Sequence, residues 1–186
     1  MRASGWSRSP SGPFVPSTAW CSAHDRACTV RGIALHELLR AEDFDEMFGS
    51  TWDVQGSRDL LFAVCASPRF RCARLTDFRF KTDKVSEEQF AAMTFRLPDG
   101  TSYVAFRGTD STVVGWKEDF NMTFLSPVPA QEEAAAYLEE VAATTSGPLY
   151  VGGHSKGGNL AVYAVAMCSE QVRSRVRRVF SHDGPG

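Results

Sequence analysis

The residues Gly153-His154-Ser155-Lys156-Gly157 match the pattern G-x-S-x-G, in which a serine stands between two glycines. A serine at a strand-to-helix elbow lies on a strained backbone, and side chains on the flanking positions would collide, so both positions favour glycine. The elbow lifts the hydroxyl above the sheet edge, and backbone N–H groups at the helix N-terminus point toward a developing oxyanion. A serine in this setting is suited to nucleophilic attack on an acyl carbon.

The sequence on both sides of this motif supports the interpretation. A short buried strand is expected over Leu149-Tyr150-Val151, and an almost wholly apolar helix over Asn159–Cys168. Gly152 and Gly158 allow still closer packing of the helix on the strand. A chain of this length matches the bare pattern by chance at a rate of about one in ten, so a glycine-rich turn with an incidental serine is the alternative. Because both flanking elements fit, Ser155 is the predicted nucleophile.

A second segment fits the same chemistry. Phe106-Arg107-Gly108-Thr109 closes a β-rich run upstream of the elbow, and acyl transfer needs a second N–H donor from a separate strand end. We expect the amide of Thr109 to be this donor and the amide of Lys156 to be the other. On composition alone, a plain turn over residues 107–110 is equally consistent. We expect the Lys156 side chain to reach solvent, with attraction of an anionic substrate as the alternative.

The N-terminal part of the chain shows less pattern. Residues 1 to about 30 are rich in Ser, Pro and Gly, which predicts a loose arm. Apolar residues recur at helical spacing from Ile33 to Phe48, which predicts one amphipathic helix or two short ones. A further helix is expected over Ser57–Ala66, with a buried side made of Leu60, Leu61, Phe62 and Val64.

The C-terminal part alternates between strands and helices. Two β-rich runs, 92–97 and 102–106, surround the turn Pro98-Asp99-Gly100 and predict a hairpin. The elements expected after it are, in order, a helix over 131–143, a strand over 149–151, a helix over 159–168 and a strand over 177–181. This order predicts an α/β fold with a mostly parallel sheet and crossover helices.

Composition excludes several classes of function. With 186 residues and a formal net charge of −2, the chain has no basic surplus to neutralise nucleic-acid phosphates. No run approaches the roughly 18 apolar residues that cross a bilayer. Three prolines interrupt any apolar stretch of a secretory leader, namely Pro10, Pro13 and Pro16. The densest basic run is interpreted as the solvated end of a helix and contains Arg173, Arg175, Arg177 and Arg178.

The five cysteines cannot all pair within the chain and are too sparse for a disulfide scaffold; they are Cys21, Cys28, Cys65, Cys72 and Cys168. Cys21, His24 and Cys28 lie close together in sequence. Without a second ligand pair at metal spacing, we predict no metal site there. Reduced thiols are the default in a cytoplasmic protein, which is the location we expect. We also expect no cofactor.

Several segments together resemble a known family. They are Gln89–Phe95, Phe106–Asp110, Gly115–Met122, Val128–Gln131, the elbow extended to Asn159, and Asp183–Gly186. They are similar to the class 3 (fungal-type) lipase group of α/β-hydrolases and, more closely, to a bacterial branch called Mbeg-like. The resemblance covers roughly residues 57 to 186. It implies a less recognisable N-terminal arm and helix over 1–45, followed by the N-terminal and elbow portion of an α/β-hydrolase domain over 46–186.

By analogy with lipases, the resemblance implies hydrolysis of a carboxylic ester, with a small-molecule ester or lipid as substrate. Ser155 carries over as the nucleophile, and Thr109 with Lys156 as the oxyanion donors. Trp116 and Asp119 occupy positions that in such lipases help to hold the first catalytic loop. The other residues expected to support the site without taking part in the chemistry are Arg107, Gly108, Gly153, His154 and Gly157.

A serine nucleophile also needs an imidazole base and a carboxylate that orients it. Asp183 follows a predicted strand at the sheet edge where ligands bind, so it is the candidate acid, with a plain Asp-Gly-Pro-Gly turn as the alternative. His154 should point away from the nucleophile, whereas His182 ends the strand near the site. Since the histidine comes last in this fold, we expect it beyond Gly186. We therefore expect a truncated chain that has little or no turnover by itself.

Two classes of function follow. The first is a serine esterase or lipase-like hydrolase with Ser155 as its nucleophile. The second is a non-catalytic hydrolase-fold module that binds an acyl or lipid ligand, or a protein partner. The intact elbow favours the first, and the missing histidine favours the second for the chain by itself. A phosphate-binding loop is a poor fit, because residues 152–158 lack the order G-x-x-x-x-G-K-[ST].

Overall fold

The computed structural model describes residues 6–7, 15–16, 32–49, 51, 53–83, 88–108 and 127–185. The strands are β1 (Trp6–Ser7), β2 (Val15–Pro16), β3 (Ile33–Ala34), β4 (Arg74–Asp83), β5 (Glu88–Arg96), β6 (Ser102–Phe106), β7 (Leu149–His154) and β8 (Val176–His182). The α-helices are α1 (Phe44–Phe48), α2 (Val54–Ala66), α3 (Pro129–Thr144), α4 (Lys156–Met167) and α5 (Glu170–Arg173). The contacts divide the chain into two compact units, Met1–Thr76 and Asp77–Gly186. The domain boundary expected between residues 45 and 46 rests on the family resemblance and stays a prediction.

In the first unit, short elements replace the predicted amphipathic helix over residues 33–48. Strand β3 pairs antiparallel with the start of β4, and two 3-10 turns, Leu35–Leu38 and Ala41–Asp43, precede α1. The Leu35 amide donates to the Ala73 carbonyl at 2.9 Å, which takes the backbone away from a helical ladder. Tertiary hydrogen bonds thus override the local periodicity. Strands β1 and β2 form an antiparallel pair within the predicted loose arm.

Helix α2 starts three residues earlier than predicted and buries a different side. The Asp53 carboxylate caps it by accepting a hydrogen bond from the Gly56 amide at 2.8 Å. Leu60 is 65% exposed and Phe62 is 48% exposed, so the predicted buried side is wrong at these two residues. Successive helical residues are about 100° apart, so adjacent apolar residues cannot all share one stripe. The fully buried position of this helix is Cys65.

In the second unit, the predicted hairpin and α/β alternation are confirmed. Strands β5 and β6 pair antiparallel, whereas β6, β7 and β8 run parallel and are joined by crossover helices. In the described residues of this unit, the strands follow one another in the sheet in the order β4-β5-β6-β7-β8. The fold is therefore mixed α/β, and the parallel arrangement holds for its C-terminal half. Strand β4 has no counterpart among the predicted elements.

Helices α3 and α4 cover one face of this part of the sheet. Their inner stripes and the facing strand residues form one core of fully buried side chains, which includes Phe90, Val104, Leu138, Val141, Leu149, Val151, Leu160 and Ala164. The Tyr137 hydroxyl lies within it, donates to the Asp77 carbonyl at 2.7 Å and contacts Thr94 Oγ1 at 2.9 Å. Burial raises the pKa of Tyr137 far above its usual value. This core fixes α4, and with it the elbow, on the sheet.

The basic run after α4 is not simply the solvated end of a helix. Arg173 donates to the carbonyls of Ala166 and Cys168, both at 2.8 Å, at the C-terminus of α4. Arg175 donates to the carbonyl of Ala142 at 2.7 Å, in the last turn of α3. A guanidinium at these positions adds hydrogen bonds to carbonyls at the helix ends, and it complements the helix dipole. Arg177 and Arg178 are exposed, as predicted, but they lie on β8.

We expect Arg175→Met to lower the free energy of unfolding by about 2 kcal/mol, because it removes charged hydrogen bonds to Ala142, Thr145 and Gly147. Arg177→Met is the matched control, since Arg177 is exposed on β8 and its loss should change the stability by less than about 0.5 kcal/mol. Urea unfolding of both variants measures the difference. Equal stabilities would show that the Arg175 contacts contribute nothing.

Candidate active site

Ser155 lies at the turn between β7 and α4, as the motif predicts. Strand β7 ends at His154, and α4 begins at Lys156. The serine backbone has φ 53° and ψ −128°, a combination that residues with a side chain rarely adopt. Such backbone strain costs about 1–3 kcal/mol and is found most often at functional sites.

The two motif glycines are required by close backbone contacts. A Cβ on Gly153 would overlap the backbone of Gly157 and would lie 2.6 Å from the Phe106 carbonyl oxygen. A Cβ on Gly157 would overlap that same oxygen and would lie 2.9 Å from the carbonyl carbon of Arg107. The glycines therefore allow the start of α4 to rest on the ends of β6 and β7. Collision of any side chain at these two positions is thus the physical reason for the glycine spacing of the motif.

The end of β6 also approaches Ser155. A Cβ on Gly108 would lie 3.6 Å from the Ser155 Cβ and 2.8 Å from the His154 carbonyl oxygen. The segment expected to supply the second oxyanion donor is thus brought beside the serine. Thr109 follows Gly108 directly, but Thr109 itself lies outside the described residues, as do Trp116 and Asp119. Their expected roles stay predictions.

Arg107 joins the end of β6 to neighbouring strands, and its expected supporting role stays a prediction. Its backbone amide donates to the Ala91 carbonyl at 2.9 Å, and its guanidinium lies 5.4 Å from the ring centre of Phe80 on β4. Cations favour the face of an aromatic ring, so this contact helps to hold the end of β6.

Lys156 differs from both expectations for its side chain. It is 1% exposed, and its Nζ donates to the Gln89 carbonyl oxygen at 2.6 Å. The side chain therefore neither reaches solvent nor faces an incoming substrate; it links the start of α4 to the start of β5. Its backbone amide opens α4, where the first N–H groups of a helix have no acceptor within the helix. That position remains compatible with the oxyanion role predicted for the amide.

Asp183 follows β8 at the same sheet edge as the elbow. The Ser155 amide donates to the carbonyl of His182, the residue before Asp183, at 2.8 Å. The Asp183 backbone has φ 50°, and its side chain is 94% exposed, with Oδ2 3.8 Å from His154 Nε2. The acid role expected for Asp183 stays a prediction.

The two nearby histidines make other contacts. The His154 side chain is 71% exposed beside Asp183, and the His182 ring stacks on Phe180 with ring centres 6.2 Å apart. Among the described residues, neither imidazole forms a hydrogen bond with the Ser155 hydroxyl.

Sequence reasoning missed the polar residues that join the Asp183 turn to the elbow. Asn159 Nδ2 donates to the Pro185 carbonyl at 2.9 Å, and Asn159 Oδ1 accepts from Gln131 Nε2 at 2.9 Å. A Cβ on Gly158 would lie 3.2 Å from the Cα of Gly184, so these two glycines are in close contact. The available signal was that Gln131 and Asn159 both stand in segments that carry the family resemblance, Val128–Gln131 and the elbow extended to Asn159.

The described residues contain neither a candidate metal site nor a helix that could span a membrane. Within them, no group of three or more His, Cys, Asp or Glu side chains is placed to hold a metal ion. Cys21, His24 and Cys28 lie outside the described residues. Cys65, Cys72 and Cys168 are free thiols, and burial raises the pKa of Cys65 and of Cys168. No helix found in the same residues has the length and apolar character needed to span a bilayer.

The structure thus defines a mixed α/β protein with a serine on a strained strand–turn–helix elbow. The model of the Mbeg1-like family matches residues 64–186, and the chain belongs to that family. No curated protein and no solved structure gives a significant match.

We expect Ser155→Gly to be about 1 kcal/mol more stable than Ser155→Ala, because glycine adopts a φ of 53° without a Cβ penalty. Both variants lack the hydroxyl, so the difference isolates the backbone strain. Ser174, with φ −61°, provides the control pair, for which glycine should be the less stable variant. Urea unfolding of the four proteins measures both differences. A less stable glycine variant at position 155 would contradict the strained elbow.

Proposed function

We propose that the protein is a serine hydrolase of carboxylic esters, with Ser155 as nucleophile on an α/β-hydrolase-type fold. The observation that carries the proposal is the strained backbone of Ser155, with φ 53°, between a strand and a helix N-terminus. Strain of this kind persists only where the surrounding packing over-determines it, as the contacts of Gly153 and Gly157 do here. The position of Gly108, one residue before the predicted donor Thr109, adds independent support.

The proposed chemistry proceeds through an acyl-enzyme. Ser155 Oγ forms a bond to the ester carbonyl carbon while its proton passes to an imidazole base. The carbonyl oxygen becomes an oxyanion that accepts hydrogen bonds from the amides of Lys156 and Thr109. As the carbonyl re-forms, the bond to the alkoxy oxygen breaks, and the imidazolium gives its proton to the leaving alcohol. Water then repeats the sequence and releases the carboxylic acid.

Asp183 is the proposed acid that orients the imidazole. Its carboxylate lies at the carboxyl edge of β8, and the turn that carries it contacts the first turns of α4 through Gly158 and Gly184. A carboxylate that hydrogen-bonds an imidazole fixes the tautomer and stabilises the cation formed during attack.

The second candidate is a non-catalytic module of the same fold that binds an acyl or lipid ligand, or a protein partner. The observation in its favour is the placement of His154 beside Asp183 and of His182 on Phe180, rather than at the Ser155 hydroxyl. Without a base, the serine would bind an ester without cleaving it.

A fluorophosphonate probe separates the two candidates, because it labels only an activated serine. We expect the probe to attach to Ser155, located by peptide mass spectrometry, and labelling to disappear in Ser155→Ala. Any hydrolysis of a short-chain nitrophenyl ester should be lost in the same variant. If His182→Ala leaves both rates unchanged, a group other than His182 is the base. Absence of labelling in the native protein would contradict the hydrolase and favour the binding module.

Thr109→Pro tests the second oxyanion donor, because proline has no backbone N–H. We expect the labelling rate of Ser155 to fall by about 10²–10³, the usual loss for one oxyanion donor. Thr109→Ala keeps the amide and should label within about threefold of the native rate. Unfolding midpoints of both variants check the fold. Equal labelling of the proline variant and the native protein would exclude Thr109 as a donor.

A further inference from the structure

Four groups near the elbow form a head-to-tail chain of hydrogen bonds. The Val128 amide donates to Gln131 Oε1 at 3.0 Å, and Gln131 Nε2 donates to Asn159 Oδ1 at 2.9 Å. Asn159 Nδ2 then donates to the Pro185 carbonyl at 2.9 Å. A backbone amide can only donate and a backbone carbonyl can only accept, so the two ends fix the orientation of both side-chain amides. Gln131 is 5% exposed, which shields the middle of the chain from water.

This chain ends on the turn that carries Asp183. Asn159 lies one helical turn after Ser155, and the backbone amide of Asn159 donates to the Ser155 carbonyl at 3.3 Å. The Ser155 amide in turn donates to the carbonyl of His182 at 2.8 Å. The helix turn that presents the nucleophile therefore holds the backbone on both sides of Asp183, at residue 182 and at residue 185.

Backbone contacts of this kind fix the turn that carries the Asp183 carboxylate. Its side chain is 94% exposed, and His154 lies 3.8 Å away, too far for a hydrogen bond. The backbone has φ 50°, from which a residue with a side chain tends to relax to negative values. A bond to the Pro185 carbonyl opposes that relaxation, because it fixes the far end of the turn.

We propose that Asn159, oriented by Gln131, is a positioning residue for Asp183. The inference rests on the proposed function, in which Asp183 is the acid of a serine hydrolase. Asn159 makes no contact with the reacting atoms; it acts by fixing the turn that carries the carboxylate. Displacement of a catalytic group by about 1 Å lowers a rate by about 10²-fold, so a single remote amide has a measurable effect.

Asn159→Asp tests the proposal without a change of shape. The introduced carboxylate still accepts from Gln131 but cannot donate to the Pro185 carbonyl. We expect the rate of fluorophosphonate labelling at Ser155 to fall by about 10- to 100-fold. Gln131→Glu, which breaks the chain one step earlier, should lower the rate in the same direction. Gln171→Glu makes the same change of charge at an exposed position on α5 and should label at the native rate.

A double variant separates positioning from a general loss of structure. If Asn159 acts through Asp183, the variant that combines Asn159→Asp with Asp183→Asn should label no more slowly than Asp183→Asn alone. Independent, multiplying effects of the two changes would overturn the proposal. So would native-rate labelling of Asn159→Asp while the native protein is labelled at Ser155. If the native protein itself is not labelled, the proposed function fails and this inference fails with it.

Discussion

The N-terminus of α4 rests backbone to backbone on the ends of β6 and β7, and the candidate site depends on this close approach. The Phe106 carbonyl oxygen occupies the space that a Cβ of Gly157 would need, and it lies 2.6 Å from where a Cβ of Gly153 would stand. A larger residue at either position would push the helix, and the amides at its start, away from Ser155. The core holds the helix in place: the fully buried Leu160 contributes about 2 kcal/mol. That contribution is comparable with the strain of about 1–3 kcal/mol at Ser155.

The close packing of the α4 N-terminus on the strand ends also explains the position of Lys156. A lysine at a helix N-terminus opposes the helix dipole, and burial adds a larger cost unless its ammonium group is hydrogen-bonded. The Nζ donates to the Gln89 carbonyl, so the buried charge has an acceptor. Because β5 runs antiparallel to β6, its first residues lie at the same edge as the end of β6. The lysine thereby fastens a third strand to the elbow, a role distinct from substrate binding.

The elbow could be predicted because it is encoded by a pattern of neighbouring residues. Contacts between residues far apart in sequence have no such local pattern. The spacing of Gly153 and Gly157, the turn at residues 98–100 and the apolar stripes of α3 and α4 are encoded within a few residues of sequence. Strand β4 was not predicted because the alternation of apolar and polar residues changes phase between Leu75 and Phe78. The left-handed backbone of Asp77 lies at this change of phase, and the apolar residues then continue at Phe80. The bond between Gln131 and Asn159 joins residues 28 apart, and no local pattern indicates it.

Backbone strain distinguishes the turn at Asp183 from an ordinary turn. Among the described residues, three residues other than glycine have a positive φ: Asp77, Ser155 and Asp183. Asp77 is explained by structure, since its carbonyl accepts from the buried Tyr137 and its carboxylate pairs with Arg96 at 2.9 Å. The Asp183 carboxylate is exposed and has no such internal use, yet its backbone is held at the same sheet edge as the strained Ser155. Strain at two adjacent strand ends, without a packing reason for one of the side chains, favours a chemical role for the pair.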